Sequence, residues 1–277
     1  MSLVVNTNVG ALQAYNALSH NQAMQQSAME KLSTGLRINK AADDAAGLAI
    51  SQGLTSQING MGVAVRNAQD GINLAQIADG ALGTSQSILQ RMRDLAVQAA
   101  NDTNDSGARS DIQAEMDKLA TTLDNIASGT KFGTKTLLDG SLTATSALNF
   151  QVGAGTSATD SVSLSLSAAT SNGLGASGLS ATTVSGAKAA IDKIDAAIQA
   201  VSTQRANIGA FQNQMNYTIT NLQSTIQNVS ASRSNITDAD LATEVTTMTQ
   251  AQILAQASTS MLSQANSAPQ AVLKLLQ

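Results

Sequence analysis

Two long stretches without a formal charge, one towards each end, constrain this 277-residue chain more than any other feature. Residues 1–29 contain no Asp, Glu, Lys or Arg, and the 29 consecutive residues Val245 to Leu273 repeat the pattern. Soluble helix surfaces carry charge, whereas surfaces buried against protein avoid it, because an unpaired charge is costly to desolvate. Membrane insertion is excluded by Gln22, Gln25, Gln26, Gln250, Gln252 and Gln256, whose amides are costly in hydrocarbon. Flexible low-complexity tails are the bland alternative, but those lack spaced Leu, Val, Ile and Met. Here Leu241, Val245, Met248, Ala255 and Leu262 fall on one seam of alternating three- and four-residue steps, interrupted by Gln252 and Thr259. The ends therefore read as helical assembly surfaces.

The interior argues for long helices rather than a globular centre. Only Tyr15, Phe132, Phe150, Phe211 and Tyr217 are aromatic, and the single proline is Pro269, so helix geometry is permitted almost everywhere. Positions 68, 71, 75, 78, 82, 85, 89, 92, 96 and 99 form an uncharged seam of small and aliphatic residues. That seam predicts one long helix, with its start weakened by Gly60 and Gly62 and its end at the turn-forming cluster Asn101 to Gly107. A second helix carries Ile112, Met116, Leu119, Leu123 and Ile126 and stops at Ser128-Gly129. The longest pattern runs through 191, 194, 198, 201, 205, 208, 212, 215, 219, 222, 226 and 229, apolar except at Arg205 and Gln212. At 1.5 Å per residue this is a rod of roughly 58 Å, and a seam that long needs a partner, which the two preceding helices can supply.

Residues 137–185 change character, becoming rich in Ser, Thr, Gly and Ala. Leu148, Phe150 and Val152, then Val162, Leu164 and Leu166, alternate with period two and predict a hairpin joined through GAGTSATD. Gly153 and Gly155 do not make a phosphate loop, since no further Gly, Lys or helix start follows in register.

Catalytic chemistry finds little support. The chain has no cysteine and one histidine, His20, which rules out thiolate and multi-histidine metal sites and leaves no local acid or nucleophile to form a proton relay. No cofactor is implied. A net charge of -4 with a pI near 4.9 gives no basic footprint for nucleic acid. The close carboxylates Asp43-Asp44 and Asp238/Asp240 sit where helices should start, Asp43-Asp44 before AAGLAI and Thr237 with Asp240 as a capping-box pair. No positive charge precedes Lys31 and the opening apolar run is only Leu3, Val4 and Val5, so export, if it occurs, is expected without a cleavable secretory signal.

Long motifs then match a known family in order. LSTGLRINKAADDAAGLAIS at 32–51 and VNTNVGALQAYNAL at 5–18 resemble the N-terminal hallmark of bacterial flagellins. QDGINLAQIADGAL at 69–82, QRMRDLAVQAAN at 90–101 and KFGTKTLLDG at 131–140 are similar to the segments that follow. RANIGAFQNQMNYTITNLQ at 205–223 and the run from Ser230 to Gln277 resemble the C-terminal signature. The likeness covers nearly the whole chain except the Ser/Thr-rich middle. Two departures stand out. About 20 residues separate Leu166 from Ala187, so the variable outer domains of many members look absent, and Gln214 stands where an arginine is common.

The resemblance implies a mainly α fold of long antiparallel coiled-coil helices with a small β-hairpin region, whose terminal helices pair on assembly and are disordered in the free monomer. It implies an extracellular structural subunit of the flagellar filament, a homopolymer with no enzymatic site. It divides the chain into 1–42 with 237–277, lining the filament core, and a rod at 43–236 bearing the hairpin region at about 137–185. The self-assembly residues expected are Leu3, Val5, Leu12, Leu18, Leu32, Leu241, Val245, Met248, Leu262, Val272 and Leu275. Implied partners are an export chaperone on roughly 238–277, filament cap and hook-junction proteins, and a flagellin-sensing Toll-like receptor touching Gln90, Arg91, Leu95 and Glu115. The runner-up is a hook-filament junction protein, which usually diverges from the signatures at 32–51 and 230–277. A flagellin-derived enzyme would need an inserted domain, and the window between 140 and 185 is shorter than the 50 or so residues a domain usually needs.

Overall fold

A computed structural model describes residues 7–275 apart from Ala144, and the side chains up to Ser267. The described residues form five α-helices and four short strands: α1 Val9–Thr34, α2 Ala45–Ala99, α3 Ser106–Gly129, β1 Lys131–Phe132, β2 Lys135–Thr136, β3 Leu148–Gln151, β4 Ser161–Leu164, α4 Val184–Thr237 and α5 Leu241–Leu275. They make two compact units. One holds the chain up to Ile58 and from Gln227 onward, and the other is Asn59–Ile226.

In the 59–226 unit all ten seam positions expected on α2, from Ala68 to Ala99, are buried. All of them but Gly71 and Ser85 join Ile112, Met116 and Leu123 of α3 and the buried apolar residues of α4 in one hydrophobic cluster. The α4 seam is shifted relative to the sequence expectation. Ile194, Val201, Ile208 and Met215 face inward as expected, but the alternate row is Ala190, Ala197, Gln204 and Phe211, not 191, 198, 205 and 212. Two contacts explain the shift. Phe211 packs on Phe150 of β3 with ring centroids 5.6 Å apart, and Gln204 donates to the Ser167 carbonyl at 3.1 Å. Arg205 is thereby turned aside, where it pairs with Asp79 at 2.8 Å and reaches Gln86 at 2.9 Å.

The expected hairpin is present, β3 pairing antiparallel with β4 so that Leu148 faces Leu164 and Phe150 faces Val162. Two glycines of α2, the seam residue Gly71 and the helix-weakening Gly60, serve this packing. A Cβ on Gly71 would lie 3.2 Å from the Phe150 ring, and one on Gly60 would lie 3.0 Å from Ala154 in the hairpin loop. α2 continues through Gly60 and Gly62 back to Ala45, and at Gly60 the helix cost of glycine, about 1 kcal/mol, is offset because a side chain there would obstruct the hairpin loop. In the loop, Gly153 and Gly155 crowd Asp160, which closes a capping box with Ser157. The small β1–β2 hairpin, turning at Gly133 with φ +61°, was not expected from periodicity.

The segment from Leu166 to Thr183 has no regular structure, yet it buries Leu166, Ala169, Leu174, Ala176, Leu179 and Ala181. Side chains from the helices hold its backbone. Asp124 accepts from the Ser171 N–H and hydroxyl at 2.8 and 2.9 Å, and Gln113 bridges the Leu179 carbonyl and the Ala181 N–H.

Candidate assembly interface

The other unit is built around the two helices that the uncharged stretches form. Asn8 starts α1, its side-chain oxygen accepting from the Ala11 N–H at 3.0 Å, and Gly35 ends it in the left-handed region at φ +71°. Asp240 caps α5 by accepting from the Ala242 N–H and the Thr243 hydroxyl, both at 3.0 Å. The capping box expected between Thr237 and Asp240 is therefore replaced by a single cap: Thr237 is the last residue of α4, and its hydroxyl donates to the Arg233 carbonyl. Asp44 does cap α2 as expected, accepting from the Gly47 N–H at 2.8 Å.

Helices α1 and α5 run antiparallel. Asn8 donates to the Ala265 carbonyl at 2.7 Å, Asn21 to the Ser258 hydroxyl at 3.0 Å, and Lys31 meets Glu244 at 3.3 Å. Next to this pair the connecting segments are tied by backbone: the Arg37 N–H donates to the Thr237 carbonyl at 2.7 Å and the Ala239 N–H to the Gly35 carbonyl at 2.9 Å. Three carboxylates of this elbow sit below their ordinary range. Asp43 is held there by the Lys40 and Asn39 N–H groups, Asp238 by the hydroxyls of Ser234 and Thr237, and Asp240 by the Thr243 hydroxyl and the Ala242 N–H.

The seam between the pair mixes alanines with a few larger side chains. On α1 it runs through Ala11, Ala14, Leu18, Asn21, Gln25, Ala28 and Leu32, and on α5 through Met248, Ala251, Ala255, Ser258, Leu262 and Ala265, all buried or half-buried. The α5 seam thus differs from the expected one at four positions. Ala251 and Ser258 replace Gln252 and Thr259, while Leu241 and Val245 lie outside it, 54% and 47% exposed. The most deeply buried apolar side chains of the pair are alanines, Ala28 and Ala251, whose small size lets the two helices approach closely there.

The outside carries large apolar groups set among uncharged polar ones. Leu12, Tyr15 and Met29 on α1, with Ile253, Leu254 and Met261 on α5, are exposed together with Leu241 and Val245. A helix apolar beyond a single stripe belongs inside a larger assembly. Of the residues expected to build the assembly surface, Leu12, Leu241 and Val245 face outward, and Leu18, Leu32, Met248 and Leu262 lie in or beside the seam. Leu3 and Val5, and the side chains of Val272 and Leu275, lie outside the described residues. Tyr15, Met29, Ile253, Leu254 and Met261 went unpicked, although large apolar residues off the seam of an uncharged helix are the signal that marks them.

A second expected cluster lies on the 59–226 unit. Gln90 is exposed, and Arg91 donates from Nε and Nη2 to Glu115 Oε1 at 3.0 and 2.8 Å, bridging α2 and α3. Leu95 is 2% exposed and belongs to the core, so it offers a partner no surface of its own. Among the described residues no group of three or more His, Asp or Glu side chains could hold a metal ion, and His20 is exposed.

Comparison with known proteins decides the family. The bacterial flagellin N-terminal helical region matches residues 5–143, and the bacterial flagellin C-terminal helical region matches 191–276. The chain belongs to the bacterial flagellin family. The flagellin of Halalkalibacterium halodurans is 43% identical over 279 aligned positions, covering 99% of this chain and 100% of that one. The flagellin of Bacillus subtilis is 42% identical, with 99% of each chain covered. A Vibrio parahaemolyticus structure reported as flagellar hook-associated shares the fold alone, at 13% identity and a TM-score of 0.58, covering 71% of this chain and 100% of that one. As a flagellin, the chain is a structural subunit of the extracellular bacterial flagellar filament and not an enzyme. It is a short form, in keeping with the equally short alignment to the first relative. No described helix is long and apolar enough to cross a membrane.

Proposed function

We propose that this flagellin polymerises through the outward faces of α1 and α5, each covered in the filament by the same helices of neighbouring copies. The observation that carries this reading is the set of large apolar side chains that the pair leaves exposed, Leu12, Tyr15, Leu241, Val245, Ile253 and Met261, on helix surfaces with almost no charge. A second copy suits such a surface, since it offers the same uncharged face and introduces no charge to desolvate. In this reading Leu18, Leu32, Met248 and Leu262 hold the pair together, and Leu3, Val5, Val272 and Leu275 extend it. Residues 1–42 and 237–277 form the filament core and 43–236 the rod.

The same surface must be guarded before assembly. An export chaperone on 238–277 fits the unpartnered apolar groove of Val245, Thr249, Ile253 and Leu254. Export without a cleavable signal, and contact with cap and hook-junction proteins at the filament ends, follow from the same family logic. Gln90, Arg91 and Glu115 supply a polar patch for a flagellin-sensing Toll-like receptor, with Leu95 beneath it supporting the helix.

The test is polymerisation of Leu12→Asp and Ile253→Asp subunits, followed by light scattering and electron microscopy. Each buries an uncompensated carboxylate if the face is covered, and filament yield should fall at least tenfold while circular dichroism stays unchanged. Normal filaments from both variants would overturn the reading.

A further inference from the structure

The methionines of this chain are sorted by accessibility, and the sorting coincides with the assembly surface. Met61, Met92, Met116 and Met215 are at most 4% exposed, whereas Met29 is 46% and Met261 65% exposed. Met24 and Met248 are half-buried on the terminal pair, and Met1 lies outside the described residues. A thioether is oxidised when its sulfur can be reached from water, and the product is a polar sulfoxide that disrupts apolar interfaces.

We infer that Met29 and Met261 are oxidative modification sites at which a peroxide-class oxidant withdraws the free subunit from assembly. The sulfur lone pair attacks one peroxide oxygen and the O–O bond breaks. The sulfur loses two electrons and gains that oxygen, while the other oxygen leaves as hydroxide and is protonated to water. A dithiol reductant reverses the step, returning the thioether with release of water and formation of a disulfide in the reductant. The consequence for assembly rests on the proposed outward-face reading: a sulfoxide there sets a strongly polar oxygen in place of an apolar thioether on the surface that the next copy covers. Once the copies have closed over these two residues the sulfurs are shielded. Susceptibility is therefore a property of the subunit before incorporation.

The experiment exposes full-length monomer and preformed filaments to dilute hydrogen peroxide, and follows each methionine by peptide mass spectrometry. In monomer, Met29 and Met261 should oxidise at least tenfold faster than Met92, Met116 and Met215, and in filaments those two rates should fall at least tenfold. Polymerisation of treated wild-type monomer should drop several-fold relative to untreated monomer. The same treated-to-untreated ratio should stay near one for Met29→Leu/Met261→Leu. If that variant polymerises too poorly to give a ratio, treated wild type incubated with methionine sulfoxide reductases and a dithiol should recover its polymerisation. Equal rates at exposed and core methionines, an equal loss in the leucine variant, or no recovery once the sulfoxides are gone would each overturn the inference. Should selective oxidation leave polymerisation intact, the inference fails too, and the Leu12→Asp and Ile253→Asp subunits show where: normal filaments from them implicate the assembly reading, whereas their failure to polymerise confines the error to the methionines.

Discussion

The 59–226 unit and the terminal helix pair solve opposite problems with similar residues. In the former, Leu82, Leu89, Met92, Leu123 and Met215 are at most 1% exposed, and Arg91, Arg93 and Arg205 form ion pairs at the surface. In the latter, the fully hidden side chains are as small as Ala28 and Ala251, while Leu12, Ile253 and Met261 face outward. Burial of large aliphatic groups contributes about 1.5–3 kcal/mol each, and a methyl group far less, so the first unit gains far more from its own packing than the terminal pair does. The contrast shows that helix propensity and heptad spacing do not by themselves reveal a self-sufficient coiled coil. What fills the seam decides.

Removing residues 263–277 should break the comparison most sharply, abolishing filaments while leaving the 59–226 unit folded, as thermal unfolding by circular dichroism and electron microscopy would register. Normal filaments from the truncated chain would remove the dependence on neighbours. Next in size, Leu89→Ala should destabilise the monomer by about 2–5 kcal/mol, because it leaves a cavity in a packed core. Leu262→Ala, in the half-buried seam, should cost the monomer much less, and urea titration of the two variants side by side measures the difference.

Gly71→Val should cost about 1–3 kcal/mol by pushing against the Phe150 ring, with hydrogen exchange accelerated in β3 and β4 and unchanged in α5. The smallest effect concerns acid. Asp43, Asp238 and Asp240 have folded-state pKa values lowered from the ordinary one, so their stabilising contribution is fully present above pH of about 4 and is lost as pH falls through the folded values. Exchange protection at the elbow should weaken below that pH before protection in the core of the 59–226 unit does, and Asp240→Asn should blunt the trend.

Much of this was legible in the sequence. The α2 seam from Ala68 to Ala99, the α3 seam and the existence of the β3–β4 hairpin could be read because their buried positions carry a clean period. The α4 row was ambiguous: Ala190 and Ile191, or Ala197 and Ile198, are neighbours that are both apolar, and only the contacts of Phe211 and Gln204 choose between them. The α5 seam was misread in part for a related reason. Large apolar residues attract the inward assignment, so Leu241 and Val245 set a register that runs on through Gln252 and Thr259, whereas the seam passes through Ala251 and Ser258. Strands as short as β1 and β2 have no period to read. The unstructured run from Leu166 to Thr183 is held by Asp124, Gln113 and Gln204, whose partners lie 37 or more positions away and leave no local trace.

That run also contains a place where the chain can be lengthened cheaply. The Ala176 N–H donates to the Ser171 carbonyl at 2.8 Å, closing a small exposed loop over Asn172 and Gly173, and Asp124 anchors its near end. A foreign peptide spliced between those two residues would give up the turn bonds from the Gly173 and Leu174 N–H groups to Thr170 and from Gly175 to Asn172, but would stay flanked by the Ser171–Ala176 tie, and each doubling of its length would add only about 0.6 kcal/mol of closure cost. The subunit thus carries a ready grafting point for epitopes or binding tags, which a polymer would repeat at regular intervals along its length.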